Sequence, residues 1–206
     1  MGKLHTAAAG GELKTVRELL ARGADPDARG PRGVTPLIAA AFRGYAAVAR
    51  ALVAAGADVN AADTDGMRPL SASMLSGKHA VSQLLIDHGA DVEALDPSGD
   101  TLLMVAAAYS SPKLVAMLLA AGADPNARRA HDGLSAADLI QIALHQDFTT
   151  EIPKGIDRKV LALLEAGGAE VRSFEQVLDH LDRVRVRGRK RSRAGSPRRG
   201  GTTSNV

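Results

Sequence analysis

The residues best suited to acid–base or metal chemistry are the six histidines, and their spacing argues against both roles. They stand at positions His5, His79, His88, His131, His145 and His180. No two of them have the His-x-x-x-His spacing that places two metal ligands on one helix face. The chain also lacks cysteine, a Gly-x-x-x-x-Gly-Lys phosphate loop and a Gly-x-Ser-x-Gly nucleophile turn. We therefore predict a protein with no enzymatic activity, no cofactor and no metal site.

The acidic residues follow a fixed period instead of forming a catalytic pair. Four of them each follow a Gly-Ala dipeptide at a spacing of 33 residues, namely Asp25, Asp58, Asp91 and Asp124. The same period relates three glycines, Gly33, Gly66 and Gly99. Because several independent markers share one period, these carboxylates hold structural positions in a repeat, and the chain is predicted to be a repeat protein.

Each repeat contains the signals of two short helices. In the second repeat, Thr35 is a predicted N-cap and Pro36 the first helical residue. Gly44 should end this helix, and a second helix is predicted over about 46–55. Gly56 is expected to adopt the left-handed conformation that ends the second helix. The unit is therefore a helix-turn-helix followed by a polar turn.

The residues that open each first helix resemble one repeat family. They are Leu4-His5-Thr6-Ala7-Ala8, Thr35-Pro36-Leu37-Ile38, Arg68-Pro69-Leu70-Ser71 and Thr101-Leu102-Leu103-Met104. Together with Gly-Ala-Asp at the end of the second helix, they resemble the ankyrin repeat, although no unit has the complete Thr-Pro-Leu-His tetrapeptide. The resemblance implies an all-α ankyrin-repeat solenoid of helix-turn-helix units joined by β-hairpin-like fingers. The expected units are about 2–33, 34–66, 67–99, 100–133 and 134–171.

The fifth unit and the end of the domain depart from this period. Residues 145–157 are predicted to be an inserted loop, because Pro153 and Gly155 interrupt the helical pattern. Ser173 and Gln176 then have capping-box spacing. A capping helix is predicted over 173–182, which would close the open end of the solenoid and complete a domain of residues 1–182.

Three positions in each first helix are predicted to line a concave groove. They are Ala39, Phe42 and Arg43 in unit two, Ala72, Leu75 and Ser76 in unit three, and Val105, Ala108 and Tyr109 in unit four. Aromatic and Arg side chains are enriched at interface hot spots. This favours a partner-binding groove formed by Phe42, Arg43, Leu75, Ser76 and Tyr109. The alternative is that the rings of Phe42 and Tyr109 are partly buried against neighbouring helices.

The finger turns provide a second set of candidate contacts with mixed charge. The predicted contact residues are Arg32, Asp65, Arg68, Asp96, Arg128 and Arg129. The alternative is that they are solvated turn residues, since exposed charges contribute little to binding by themselves. Asn60 and Asn126 lie two residues after the Asp of Gly-Ala-Asp, and both are expected to form hydrogen bonds within turns.

The C-terminal residues 183–206 differ in charge from the rest of the chain. Nine basic residues and no acid lie between Arg183 and Arg199, whereas residues 1–182 hold 17 basic and 23 acidic side chains. We predict a disordered basic tail, because Gly, Ser, Pro and Arg dominate it. Its candidate phosphate contacts are Arg187, Arg189, Lys190, Arg191 and Arg193. A nuclear address, a contact with an acidic protein and a solubilising segment are the alternatives.

The sequence as a whole predicts an adaptor that binds another protein through the groove and the fingers. The alternative is a nucleic-acid-associated adaptor that uses the basic tail non-specifically, since the tail lacks aromatic residues for base stacking. We expect a monomer in the cytoplasm, or in the nucleus of a cell that has one, without membrane contact. No stretch approaches 18 apolar residues, and the first residues lack the apolar run of a secretory signal.

Overall fold

The structure is a computed structural model that describes residues 2–96, 98–109, 111–145 and 157–194. Within these ranges it contains eleven α-helices and a 3-10 turn at Pro31–Gly33. The helices are α1 (Lys3–Gly10), α2 (Leu13–Ala21), α3 (Pro36–Arg43), α4 (Ala46–Ala54), α5 (Pro69–Leu75), α6 (His79–Asp87), α7 (Leu102–Ala108), α8 (Pro112–Ala120), α9 (Ala136–His145), α10 (Asp157–Ala166) and α11 (Phe174–Ala194). The predicted insertion lies almost wholly outside the described residues.

The helices form pairs that stack into two layers. Inner helices α1, α3 and α5 pack side by side, as do α7 and α9, while α2, α4, α6, α8 and α10 form the outer layer. Each inner helix packs against the outer helix that follows it. Among the described residues the only β-type pairing outside the helices is one bridge between Leu95 and Thr101. The all-α solenoid predicted from the sequence is therefore confirmed.

The local signals in unit two act as the sequence predicted. The Thr35 hydroxyl accepts a hydrogen bond from the Ile38 backbone N–H at 3.2 Å, and α3 begins at Pro36. Gly44 ends α3 with a φ of 76°, and Gly56 follows α4 with a φ of 89°. Such left-handed conformations cost a residue with a Cβ free energy that glycine does not pay. The predicted helix boundaries are confirmed to within one residue.

Small residues let the inner helices approach one another. Ala40 and Ala41 of α3, and Ala106 and Ala107 of α7, have no exposed surface. The outer helices contribute larger side chains at the repeat period, and Leu52, Leu85 and Leu118 are all buried. The core is consequently a ribbon that runs along the stack, in which each unit buries its apolar side chains against its neighbours.

Unit three replaces one of these alanines with a buried polar contact. The fully buried Ser73 of α5 lies 2.8 Å from the Ser82 hydroxyl of α6, and its own hydroxyl donates to Leu70 O at 2.8 Å. Both hydroxyls are thereby satisfied, which removes most of the cost of burying them. The pair joins the inner and outer helices of this unit by a directional contact.

In units one and three, a carboxylate near the outer turn accepts hydrogen bonds from the backbone of the next unit. Asp27 accepts hydrogen bonds from the backbone N–H of Asp58 at 2.9 and 3.1 Å. Glu93 accepts one from the backbone N–H of Asp124 at 2.7 Å. The partners are 31 residues apart in sequence, so these bonds exist only when two units are stacked.

Asparagine performs this role in units two and four. The Asn60 side chain accepts from the Asp91 backbone N–H at 2.8 Å and donates to Gly89 O at 3.1 Å. Asn126 of unit four accepts a hydrogen bond from the backbone N–H of Glu170, in unit five, at 2.6 Å. Both asparagines were expected to form hydrogen bonds within turns, and the structure instead places these side-chain hydrogen bonds between successive units.

The capping box of the last helix is present as predicted. The Ser173 backbone N–H donates to Gln176 Oε1 at 2.8 Å, and the Gln176 backbone N–H donates to Ser173 Oγ at 3.3 Å. Val177 is fully buried, whereas Leu178 on the same helix is 45% exposed. The start of α11 therefore closes the end of the stack, and part of its apolar face remains open to solvent.

The last helix is longer than the capping helix predicted over 173–182. We expected disorder from residue 183, but α11 continues to Ala194. Arg and Lys are good helix formers, and no proline lies between Phe174 and Pro197. The composition of this segment is therefore compatible with a continued helix. Asp179 and Arg183 also form an ion pair one turn apart, which supports the helix across the expected boundary. Residues 195–206 lie outside the described residues.

Candidate partner-binding surface

The predicted groove residues lie at equivalent ends of the inner helices. Phe42 is 52% exposed near the end of α3, Leu75 is 42% exposed at the end of α5, and Tyr109 is 63% exposed just after α7. Arg43 is exposed and Ser76 half-buried beside them. Ser76 donates to Ser73 O at 2.7 Å, so its hydroxyl also serves the helix end. The stack thus brings an apolar residue of each middle unit to one side of the solenoid.

One predicted groove position, Ala72, differs in burial from its equivalents. Ala72 has no exposed surface, although its equivalents Ala39 and Val105 are half-buried. Ala72 lies on α5, which packs side by side with α3. Its side chain is therefore not accessible to a partner at unit three.

The turns between inner and outer helices carry further exposed residues that the sequence analysis missed. We call residues 42–46, 75–79, 109 and 111–113 the inner-turn edge. A Cβ atom on Gly11 would lie 3.0 Å from the Tyr45 ring, and one on Gly44 would lie 2.2 Å from Cγ of Lys78. Each glycine therefore accommodates a side chain of the following unit. The available signal was positional, because Tyr45 and Lys78 occupy the same place 33 residues apart.

The edge continues into unit four through His79 and Lys113. Partial burial lowers the pKa of His79 below its ordinary value, and the nearby charge of Lys113 lowers it further. His79 Nδ1 is buried and has no hydrogen-bond partner among the described residues. Both Lys78 and Lys113 are exposed. Units two to four thereby present one cation each, at Arg43, Lys78 and Lys113.

Two of the predicted finger contacts are engaged within their own loops. Arg68 Nη1 donates to Asn60 O at 2.5 Å. Asp96 accepts hydrogen bonds from the backbone N–H groups of Ser98 at 2.8 Å and Asp100 at 2.9 Å. These contacts shape the turns, so a partner would have to compete with them to use either side chain.

Arg32 and Asp65 form an ion pair between the fingers of units one and two. Their side chains are 73% and 46% exposed. Arg32 has a φ of 58°, the one left-handed non-glycine residue among those described. Arg32 O accepts from the Thr64 backbone N–H at 2.9 Å, which holds the two fingers together. This exposed pair is the most accessible part of the predicted finger set.

The fourth finger is held by an ion network. Arg129 bonds to Asp132 at 2.6 Å and to Asp100 of the preceding finger at 3.4 Å. Arg128 lies 3.3 Å from Asp138 and 3.6 Å from Glu170. Both arginines were predicted as partner contacts, and the structure places both in contacts with this chain's own carboxylates.

A buried carboxylate lies under this network at the start of α9. Asp138 has no exposed surface and accepts from the Ser135 backbone N–H at 2.8 Å and from Arg172 Nε at 2.8 Å. Burial on its own raises the pKa of Asp138. The hydrogen bonds from Arg172 and Ser135 outweigh burial and hold that pKa below its ordinary value. Asp138 is therefore ionised at neutral pH and ties the fifth unit to the segment before α11.

Three of the histidines have structural partners. Nε2 of the buried His5 donates to Val34 O at 2.6 Å across two units. His88 Nδ1 donates to Leu84 O at 2.7 Å, and His180 Nε2 donates to Asp132 O at 2.7 Å. Each of these rings fixes a backbone carbonyl. No cluster of three or more metal-ligating side chains occurs in the described part of the chain.

The candidate residues of the basic tail all lie on the second half of α11. They are Arg187, Arg189, Lys190, Arg191 and Arg193. The structure describes the backbone of this part of α11 and the side chains only as far as Arg185. Of the helices it describes, none is long and apolar enough to cross a membrane.

Comparison with known proteins agrees with this geometry. A family model described as ankyrin repeats in three copies matches residues 3–63 and again 55–129, more than half of the chain. The matched region contains α1 to α8 and all of the inner-turn edge. No curated protein matches the sequence.

Proposed function

The chain belongs to the ankyrin-repeat family, and we propose that it is a non-enzymatic adaptor that binds another protein through its concave surface. Members of this family are generally protein–protein interaction modules. The observation that carries the proposal is the row of exposed apolar residues Phe42, Leu75 and Tyr109. Solenoid packing does not bury them, and large exposed apolar side chains grouped on one face favour an interaction site.

The exposed ion pair of Arg32 and Asp65 extends the proposed contact to the fingers. Its two charges neutralise each other, so it offers polar contacts at the rim and little net attraction. The other predicted finger residues stabilise loops. We therefore assign most of the binding free energy to the apolar groove and specificity at the rim to this pair.

A pull-down with mass spectrometry tests the proposal. Full-length protein and a Phe42→Ala/Tyr109→Ala variant are used as bait in the same lysate, with Leu178→Ala as the control. Leu178 is exposed to a similar degree on α11, so the control removes apolar surface elsewhere. We expect a specific partner that the double variant loses and the control retains. A partner retained by all three baits would contradict binding through the groove.

A second candidate function uses the basic half of α11 to contact nucleic acid. The observation that favours it is the run of nine basic residues without an acid between Arg183 and Arg199, whose first part is helical. Phosphate contacts of this type are independent of sequence and weaken steeply with salt. The repeats would then connect the nucleic acid to a protein.

A further inference from the structure

In units two to four, neither the inner helices nor the inner-turn edge contains a carboxylate, whereas unit one has Glu12 in the equivalent turn. The sequences of α1, α3, α5 and α7 contain no Asp or Glu, and neither does the inner-turn edge. Residues 1–182 nevertheless hold 23 acidic and 17 basic residues. The acids collect instead at the fingers and outer turns, among them Asp25, Asp58, Asp63, Asp91, Asp96, Asp124 and Asp132. Units two to four are therefore polarised, with most of their carboxylates away from the inner-turn edge.

Positive charge is distributed along that edge at one cation per unit. Arg43, Lys78 and Lys113 are all exposed. The stem of Lys78 lies against Gly44, directly beside Arg43 and Tyr45 in the chain. The charge of Lys113 contributes, after burial, to the lowered pKa of His79, so Lys113 lies near this residue of the edge.

Exposed apolar side chains alternate with these cations. Phe42, Tyr45, Leu75 and Tyr109 are 52%, 37%, 42% and 63% exposed. All belong to the inner-turn edge, so each of the three middle units presents a cation together with at least one large apolar residue. A surface that combines the two fits a ligand that is both anionic and apolar.

We propose that the inner-turn edge of units two to four binds an acidic segment of a partner protein that carries apolar or aromatic anchor residues. This inference rests on the proposed function and names the chemistry of the partner. Neighbouring packed helices are about 8–10 Å apart, and an extended chain advances about 3.3 Å per residue. The segment should therefore advance about three residues for each unit it crosses, so an acidic segment of about six to nine residues would span units two to four.

Nucleic acid fits this edge less well than an acidic peptide. A short peptide experiences mainly the local cations, whereas a long polyanion also experiences the excess of acids over bases in residues 1–182. Three cations are few for a phosphate backbone, whose binding depends on neutralising several phosphates. The tail is the better candidate for that ligand.

The test is a selection of random displayed peptides of about 12 residues on the full-length protein. Enriched peptides are synthesised with a fluorophore, and their affinities are measured by anisotropy. The charge variant is Arg43→Gln/Lys78→Gln/Lys113→Gln, and the control is Arg17→Gln/Arg22→Gln/Arg50→Gln. The control removes the same charge from exposed positions on and just after the outer helices α2 and α4. Circular dichroism checks that both variants are folded.

We expect enriched peptides to be acidic, with Leu, Phe, Tyr or Trp between the acids. The charge variant should bind them about tenfold more weakly, because three exposed ion pairs each contribute modestly. The control should stay within about twofold of the wild type. Oligo-uridine RNA should fail to displace the bound peptide.

Neutral or basic peptides that still require Phe42 and Tyr109 would overturn the acidic partner while leaving protein binding through the groove intact. An absence of enriched peptides, equal binding by both triple variants, or displacement by RNA would also overturn the inference. The pull-down with Phe42→Ala/Tyr109→Ala judges the adaptor function separately, so the two failures are distinguishable.

Discussion

Arg172 donates hydrogen bonds through both Nε and Nη2 to the carboxylate of Asp138, which lies 34 residues earlier and has no exposed surface. The contact joins the start of α9 to the segment that precedes α11. Ser135 and Arg128 complete the shell around the carboxylate. The last unit of the solenoid, whose period is broken by an insertion, is thus closed by a buried ion pair.

Replacing Arg172 should strongly destabilise this end of the protein. Arg172→Leu leaves the buried carboxylate of Asp138 with Arg128 as the one remaining cation among the described residues, and breaking a buried pair in this way costs about 3–5 kcal/mol. Arg183→Leu is the matched control, because its ion pair with Asp179 is exposed and contributes at most about 1 kcal/mol. Urea unfolding monitored by circular dichroism measures both. Equal losses of stability would show that the Asp138 pair is no more important than a surface pair.

The same carboxylate should make stability depend on pH. Because the folded-state pKa of Asp138 is lowered, its contribution is present above the ordinary Asp pKa of about 3.9 and is lost as pH falls through the lower folded value. Asp138→Asn removes this titration. Its free energy of unfolding should fall less than that of the wild type between about pH 5 and pH 2. Parallel pH curves for the two proteins would contradict the shift.

The hydrogen bonds of Asn60 to the next unit predict a graded response to substitution. Asn60→Ala removes both bonds and should cost about 1–2 kcal/mol. Asn60→Asp keeps the acceptor for the Asp91 N–H but cannot donate to Gly89 O, and it should cost about half as much. Asp27 already works in this way in unit one. A lower melting temperature for Asn60→Asp than for Asn60→Ala would refute this account.

Core positions should matter more in the middle of the stack than at its end. Leu85 of α6 is fully buried between two neighbouring units, so Leu85→Ala should cost about 2–5 kcal/mol. Leu4 of α1 is buried but has a neighbouring unit on one side only, and Leu4→Ala should cost less. Urea unfolding of both variants checks the order, and the reverse order would contradict nearest-neighbour stacking.

If the basic half of α11 binds nucleic acid, its affinity must fall with salt. With about five phosphates engaged, log K against log salt should have a slope of about −4 to −5 for duplex DNA. Replacing Arg187, Arg189, Lys190, Arg191 and Arg193 by Gln should remove most of this binding. The Arg17→Gln/Arg22→Gln/Arg50→Gln protein is the control, and its slope of log K against log salt should equal that of the wild type. If the full-length protein binds neither DNA nor RNA at low salt, this function is excluded.

Features that depend on a few neighbouring residues could be predicted from the sequence. The N-cap at Thr35, the left-handed Gly44 and Gly56, and the capping box of Ser173 and Gln176 are all present in the structure. Each is a contact or conformation within a few residues of chain, so its physical cause lies inside the window that sequence patterns cover. The 33-residue period then determined the solenoid, because units that cannot bury their apolar faces alone must stack.

The tertiary structure decided which side chains remain available to a partner. Ala72 has no exposed surface, and Arg128 and Arg129 form ion pairs with carboxylates of this chain. Tyr45 and Lys78 belong to the exposed edge because each lies over a glycine of the preceding unit. These outcomes depend on distances between residues that are 10 to 34 positions apart in the chain. Only the stacked arrangement of the units sets those distances, since no local signal in the sequence encodes them.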